Sequence, residues 1–185
     1  MKSKANPRLY GIVFSAVLAA VYAVLTLVLA PISYGAVQFR VSELLCIMPF
    51  FLPGSAVGLF VGCLIANLFS PVGILDIIFG PIATLLAGLC TAAIGRRARA
   101  GSGGDEVPGW GWCIGACACP VVFNALIIGA ILGYTLTPDA VLQGFALFGL
   151  QVGAGEAVVL FVLGLPVMRL VLKNKKAMGF FASFV

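Results

Sequence analysis

Histidine is absent from the chain, and charge of either sign is scarce: Lys, Arg, Asp and Glu make up 9% of 185 residues. Without His, the commonest general base and the commonest metal ligand are gone. There is no G-x-S-x-G and no cluster of metal ligands, so the usual groups of a membrane hydrolase are missing. There is no G-x4-G-K-S/T phosphate loop, so the chain cannot hydrolyse ATP by that route. A soluble domain carries roughly 25% charged residues, and a chain with so few cannot cover a water-facing surface.

Apolar surface is what the chain has instead, with 62% hydrophobic residues and a mean hydropathy of +1.18. It reads as an all-α integral membrane protein. The net charge of +5 would suggest nucleic acid in a soluble protein. In a membrane protein it is topological, because Lys and Arg collect in cytoplasmic loops. The cysteines Cys46, Cys63, Cys90, Cys113, Cys117 and Cys119 include a C-x3-C-x-C run. That is not a standard zinc spacing. They read as small hydrophobes packed in helices, with neither a structural disulfide nor a metal.

The apolar run from Leu9 to Ala30 is about 22 residues, too long for a signal-peptide core of roughly 7–15 and long enough to span a bilayer. It is taken as a retained first helix. Three basic clusters follow the chain: Lys2, Lys4 and Arg8; Arg96, Arg97 and Arg99; and Arg169, Lys173, Lys175 and Lys176. If each is cytoplasmic, an even number of spans separates it from the next. Pro31 with Gly35, Pro53-Gly54 and Ser70-Pro71 punctuate the first interval into four spans. The expected single domain, 1–185, therefore has six transmembrane helices and both termini in the cytoplasm. The helices fall at about 9–30, 37–52, 55–69, 72–95, 112–134 and 142–172, with a cytoplasmic loop at about 96–111. From Val41 to Leu52 the second helix is too short to cross alone, so it must begin near Val37 or be shielded by its neighbours. The sixth is too long to lie straight, and Gly153, Gly155 and Pro166 offer bends. The apolar, aromatic tail from Ala177 suits the interface.

On this topology the costly polar residues gather on the side away from the arginines. Gln38, Arg40 and Glu43 lie at the outer end of the second helix, Asn67 near the outer end of the third, and Asp76 just inside the fourth. Asn124 lies in the outer half of the fifth, and Gln151 and Glu156 in the outer half to middle of the sixth. Ionisable groups at membrane depth mark sites and pathways, and several helices presenting them at one level imply an outward-facing pocket for a small polar molecule. Each residue also has a structural reading. Arg40 and Glu43 have the spacing of a helical ion pair. Asn67 can cap a helix, and Asp76 can face a helix dipole. Tyr34, Phe39 and Tyr134 fit an interfacial belt as well as a stacking partner, and Asp139 fits a cap or a solvated charge. Small residues recur four apart at Ala16/Ala20, Ala19/Ala23 and Gly58/Gly62/Ala66. That spacing serves close helix packing, inside the bundle or against a partner.

The runs ISYGAVQFRVSELL, MPFFLPGSAVGLFVGCLIANLFSP, GILDIIFGPIATLLA, FNALIIG and GAGEAVVLFVLGLP together resemble the queuosine-precursor transporter family, QueT. The resemblance covers about Ala16 to Pro166, and it is most specific in QFRVSE and in the GLFVGCLIANL–SP–LDIIFG block. Gly54-Ser55 departs from it where an acid would follow the proline, in an expected cytoplasmic turn. The family is similar to the substrate-binding S components of energy-coupling factor (ECF) transporters. The resemblance therefore implies a six-helix S component in the cell membrane that captures a vitamin-like solute outside. It implies partners as well: a transmembrane T subunit, docked on Ala16, Ala20 and Ala23 of the first helix, and two cytoplasmic ATPases. ATP is used by those partners, and the chain itself needs no cofactor. Loaded, it would tilt to deliver its solute inward.

The solute so implied is 7-aminomethyl-7-deazaguanine or a queuine-like relative. Its guanine-like edge suits a carboxylate, its carbonyl an amide or Arg, its ammonium an acid, and its ring an aromatic face. The expected assignment gives Glu156 the guanine-like edge, Asn124 the carbonyl, and Glu43 or Asp76 the ammonium. Arg40 holds Glu43 ionised or meets the carbonyl, and Gln38, Asn67 and Tyr34 complete the candidate set. Rival readings are a different purine-like or vitamin-like solute, a membrane enzyme, and a membrane scaffold or small channel.

Overall fold

Unbroken apolar runs become long helices here, and the Pro/Gly pairs become the turns between shorter ones. The structure is a computed structural model and describes residues 7–34, 39–101 and 107–184. The described residues form an all-helical membrane bundle with no strand among them. The elements are α1 (Pro7–Val28), followed by a four-residue helix, Ala30–Ser33, then α2 (Val41–Phe51), α3 (Ser55–Asn67), α4 (Ile74–Gly101), α5 (Trp110–Leu136), α6 (Pro138–Lys173) and a terminal α7 (Lys175–Ala182). Helices α1, α4, α5 and α6 are long and apolar enough to cross a membrane; α2 and α3 are apolar but shorter.

The short helices are enclosed by the long ones. Helix α2 starts at Val41, not near Val37, and winds as a tight 3-10 helix through Ile47 before becoming α-helical at Met48. It buries Ser42, Glu43, Cys46, Ile47, Phe50 and Phe51. At about 2.0 Å rise per 3-10 residue and 1.5 Å per α residue, it spans roughly 20 Å, short of the roughly 30 Å hydrocarbon core. Its ends, and those of α3, therefore fall within the bundle, where every free backbone group needs a partner. Side chains supply them. At one end Arg99 Nη1 donates to the Phe50 carbonyl at 2.5 Å, and Ser55 Oγ to that of Leu52 at 2.7 Å. At the other, Tyr34 Oη donates to the Ala66 carbonyl at 2.7 Å, and Asn67 Nδ2 ties the end of α3 to the Asp76 carbonyl in the first turn of α4 at 2.9 Å.

Glycines let the helices approach. A Cβ on Gly62 of α3 would stand 2.6 Å from the Ala19 carbonyl oxygen of α1, and one on Gly149 of α6 would stand 2.9 Å from that of Ala125 on α5. The small-residue spacing in α3 thus serves packing inside the bundle. Of the first helix's alanines, Ala16 and Ala20 face outward, while Ala23 is 5% exposed and packs inward. Ala23 therefore does not share an outer face with the other two.

One further expectation changes, and two features are new. Arg96, Arg97 and Arg99 are not in a loop, because α4 continues to Gly101. The long sixth helix contains a π-helical stretch, Val158–Gly164, that the sequence did not announce. The tail folds back: Asn174 accepts from the Lys176 and Ala177 amides to start α7, and Phe181 stacks on Phe51 with centroids 5.1 Å apart. Phe14 of α1 meets Phe180, Phe181 and Phe184 in the same aromatic cluster.

Candidate functional site

The end of the bundle opposite Arg96, Arg97 and Arg99 is where the short helices stop, and their termini bring polar side chains together. Arg40 precedes α2 in extended backbone, Asn67 closes α3, and Asp76 lies in the first turn of α4. All three are buried. Arg40 Nη2 stands 3.5 Å from Asp76 Oδ2, an ion pair with both partners nearly free of solvent. The spacing of Arg40 and Glu43 had suggested a pair along a helix. That pair does not form, because Arg40 is outside the helix and its guanidinium is drawn to Asp76. Arg40 Nε reaches the Ser33 carbonyl at 3.4 Å, and the guanidinium lies 5.5 Å from the centre of the Tyr34 ring. Ser70 Oγ donates to Asp76 Oδ2 at 2.5 Å. Gly73, at φ +94°, makes the tight turn that sets Ser70 and Asp76 face to face.

Glu43 is fully buried one level deeper. Tyr22 Oη of α1 donates to its Oε1, and Cys46 Sγ approaches Oε2 at 2.9 Å. Thr26, one turn on from Tyr22, shares a 2.7 Å hydrogen bond with Ser42. Deeper still, Asn124 Nδ2 donates to Glu156 Oε1 at 2.5 Å across the α5–α6 contact. Asn124 is 3% exposed and Glu156 2%. Both lie close to the midpoints of α5 and α6. Glu156 sits immediately before the π-helical stretch, a distortion that often accompanies functional sites.

The charged groups share one apolar interior: Arg40 pairs with Asp76, and Glu43 and Glu156 are almost fully buried. Charges in so apolar a setting interact strongly because little water screens them. Several polar atoms keep hydrogen-bonding capacity that the protein does not use: Arg40 Nη2, Asp76 Oδ1, Asn67 Oδ1, Glu156 Oε2, Ser33 Oγ and Gln151 Oε1. Buried polar atoms are paired in the great majority of cases, so this series of unpaired atoms from the end of the bundle to mid-depth suits an incoming polar molecule.

The remaining expected residues divide. Tyr34 is half-buried and bonded within the group, whereas Phe39, Tyr134 and Asp139 are exposed. Gln38 lies outside the described residues. Tyr22, Thr26, Ser42, Cys46 and Ser70 were not expected at the site. The available signal was on α1, where Tyr22 and Thr26 are four apart in an otherwise apolar stretch and so share one helix face. All six cysteines are free thiols, and among the described residues no group of His, Cys, Asp and Glu could hold a metal.

Apolar helices long enough for a bilayer, enclosing a polar centre that reaches from one end to mid-depth, define a polytopic membrane protein with an internal polar core. The chain belongs to the QueT transporter family, whose model, described as QueT transporter, matches residues 12–173. Membership puts it among transporters and not among enzymes. The Queuosine precursor transporter QueT of Lactococcus lactis subsp. cremoris (strain MG1363) is 42% identical over 79 residues, which cover 42% of this chain and 46% of the relative. The matched stretch is thus about half the length of that curated relative. No solved structure matches the chain significantly.

Proposed function

We propose that the protein is the substrate-binding S component of an ECF-type importer and that it captures a queuosine precursor. The reading rests above all on the buried Asn124–Glu156 pair, whose Glu156 Oε2 has no partner. A carboxylate oxygen with unused lone pairs is the natural acceptor for the adjacent N–H groups of a guanine-like edge. Asn124 has a second N–H for the ring carbonyl. Asp76 is already balanced by Arg40, so Glu43 is the acid left for an aminomethyl cation. Arg40 and Tyr34 then face the outer side of the flat ring. The name of the Lactococcus relative supports a queuosine precursor as the solute class.

In this reading the chain passes through the plasma membrane six times, with α2 and α3 as short passes enclosed by the long helices, and both termini are cytoplasmic with the basic clusters. Ala16 and Ala20 receive the T subunit, and two ATPases supply the energy. The decisive experiment is calorimetric titration of the purified protein with queuine, the aminomethyl precursor and guanine. Saturable binding of a deazapurine in preference to guanine is expected. Binding of none of the three would end the assignment.

A further inference from the structure

At the arginine-bearing end, well away from the polar core, lies a cavity of about 840 Å³ between α1, the α2–α3 turn and the end of α4. Its composition is divided. Arg8, Arg96 and Arg99 contribute guanidinium groups, while Ile12, Leu52 and Val57 make apolar wall. Arg99 is held in place by its bond to the Phe50 carbonyl and, with five N–H groups, retains donors for another acceptor. Ile12 and Val57 are 67% and 60% exposed, and the apolar track continues along α3 to Val61. A small soluble anion would match the guanidinium groups and waste the apolar wall. A hydrocarbon would do the reverse.

We infer that this cavity binds the headgroup of an anionic phospholipid, with an acyl chain running along Ile12 and Val57 between α1 and α3. Phosphate is matched by arginine through charge-assisted hydrogen bonds. Basic pockets between membrane helices on the cytoplasmic side are a recognised setting for acidic headgroups. The inference stands independently of the transport reading, since none of these residues belongs to the polar core.

The test is native mass spectrometry of the full chain in neutral detergent, incubated with phosphatidylglycerol, phosphatidylcholine or glycerol 3-phosphate. Phosphatidylglycerol should be retained at least about fivefold better than phosphatidylcholine, the scale of one arginine–lipid attraction. Arg96→Gln should lower retention by about the same factor, whereas Arg97→Gln, an exposed neighbour that does not line the cavity, should not change it. Gly54→Leu should lower retention with no change of charge, because nothing lies within 4 Å of a Cβ there and the new side chain would fill the space. Equal retention of the two lipids would overturn the proposal, and that comparison needs no variant. Equal effects of Arg96→Gln and Arg97→Gln would also overturn it, by revealing diffuse attraction. So would displacement of the lipid by equimolar glycerol 3-phosphate, the mark of a soluble-anion site.

Discussion

Asn124 and Glu156, on different long helices and 32 residues apart, meet at 2.5 Å in the middle of the bundle and leave Glu156 Oε2 unpaired. Glu156→Gln keeps the shape of the side chain and replaces an acceptor by a donor. Binding of the deazapurine should weaken by about 2 kcal/mol or more, since a site donor or a ligand donor is left without its acceptor. Calorimetry on the purified variant measures this, and near-native affinity would remove Glu156 from the site.

Tyr22 is a positioning residue for Glu43, reaching it from α1 while Cys46 approaches the other oxygen. Tyr22→Phe preserves the ring in its fully buried place and deletes only the hydroxyl. A buried carboxylate losing a donor should cost about 1–3 kcal/mol of stability. Cys46→Ser offers a comparable donor and should cost less. Thermal unfolding in detergent distinguishes the two, and equal losses would mean that the packing of the site, not the Tyr22 hydroxyl, sets its stability.

Much of this was legible in the residues because it depends on periodicity and on cost. Apolar length announced the membrane helices, and the scarcity of charge made Arg40, Glu43, Asp76, Asn124 and Glu156 conspicuous. All five are buried, with Arg40 paired to Asp76 and Asn124 to Glu156. What escaped depends on how backbone ends are satisfied. Sequence spacing assumed an α-helix through Arg40 and Glu43, but the chain is extended at Arg40 and winds as a 3-10 helix beyond it. That rotates the guanidinium toward Asp76. Tyr22 and Thr26 were passed over because a single tyrosine in an apolar run looks like any interfacial aromatic until a buried acid is found opposite it.

The Arg40–Asp76 pair makes a separable prediction. Both groups are nearly solvent-free at 3.5 Å, so removing one strands the other. Arg40→Met and Asp76→Leu should each destabilise by about 3–5 kcal/mol, and the double variant by much less than the sum. Unfolding measurements on the three variants close the cycle. Additive losses would show that the two charges are not energetically coupled, whatever their separation.

Helix α1 presents two faces, and substitutions on them should separate folding from assembly. Gly62 of α3 packs so closely on α1 that a Cβ would come within 2.6 Å of the Ala19 carbonyl oxygen and 2.9 Å of Tyr22 Cβ. Gly62→Val should therefore disrupt the bundle, by about 3 kcal/mol or more if it folds at all. Ala16 and Ala20 point away from the bundle, and Ala16→Leu with Ala20→Leu should leave unfolding temperature and deazapurine affinity unchanged. If the outer face receives a T subunit, the same double substitution should abolish co-purification with that subunit and uptake in cells, because the approach that small residues permit is closed. Ala23→Leu, which adds bulk on the buried side, should instead lower stability. Normal assembly and uptake by the Ala16→Leu/Ala20→Leu protein would place the partner on another surface and leave the outer face of α1 to lipid.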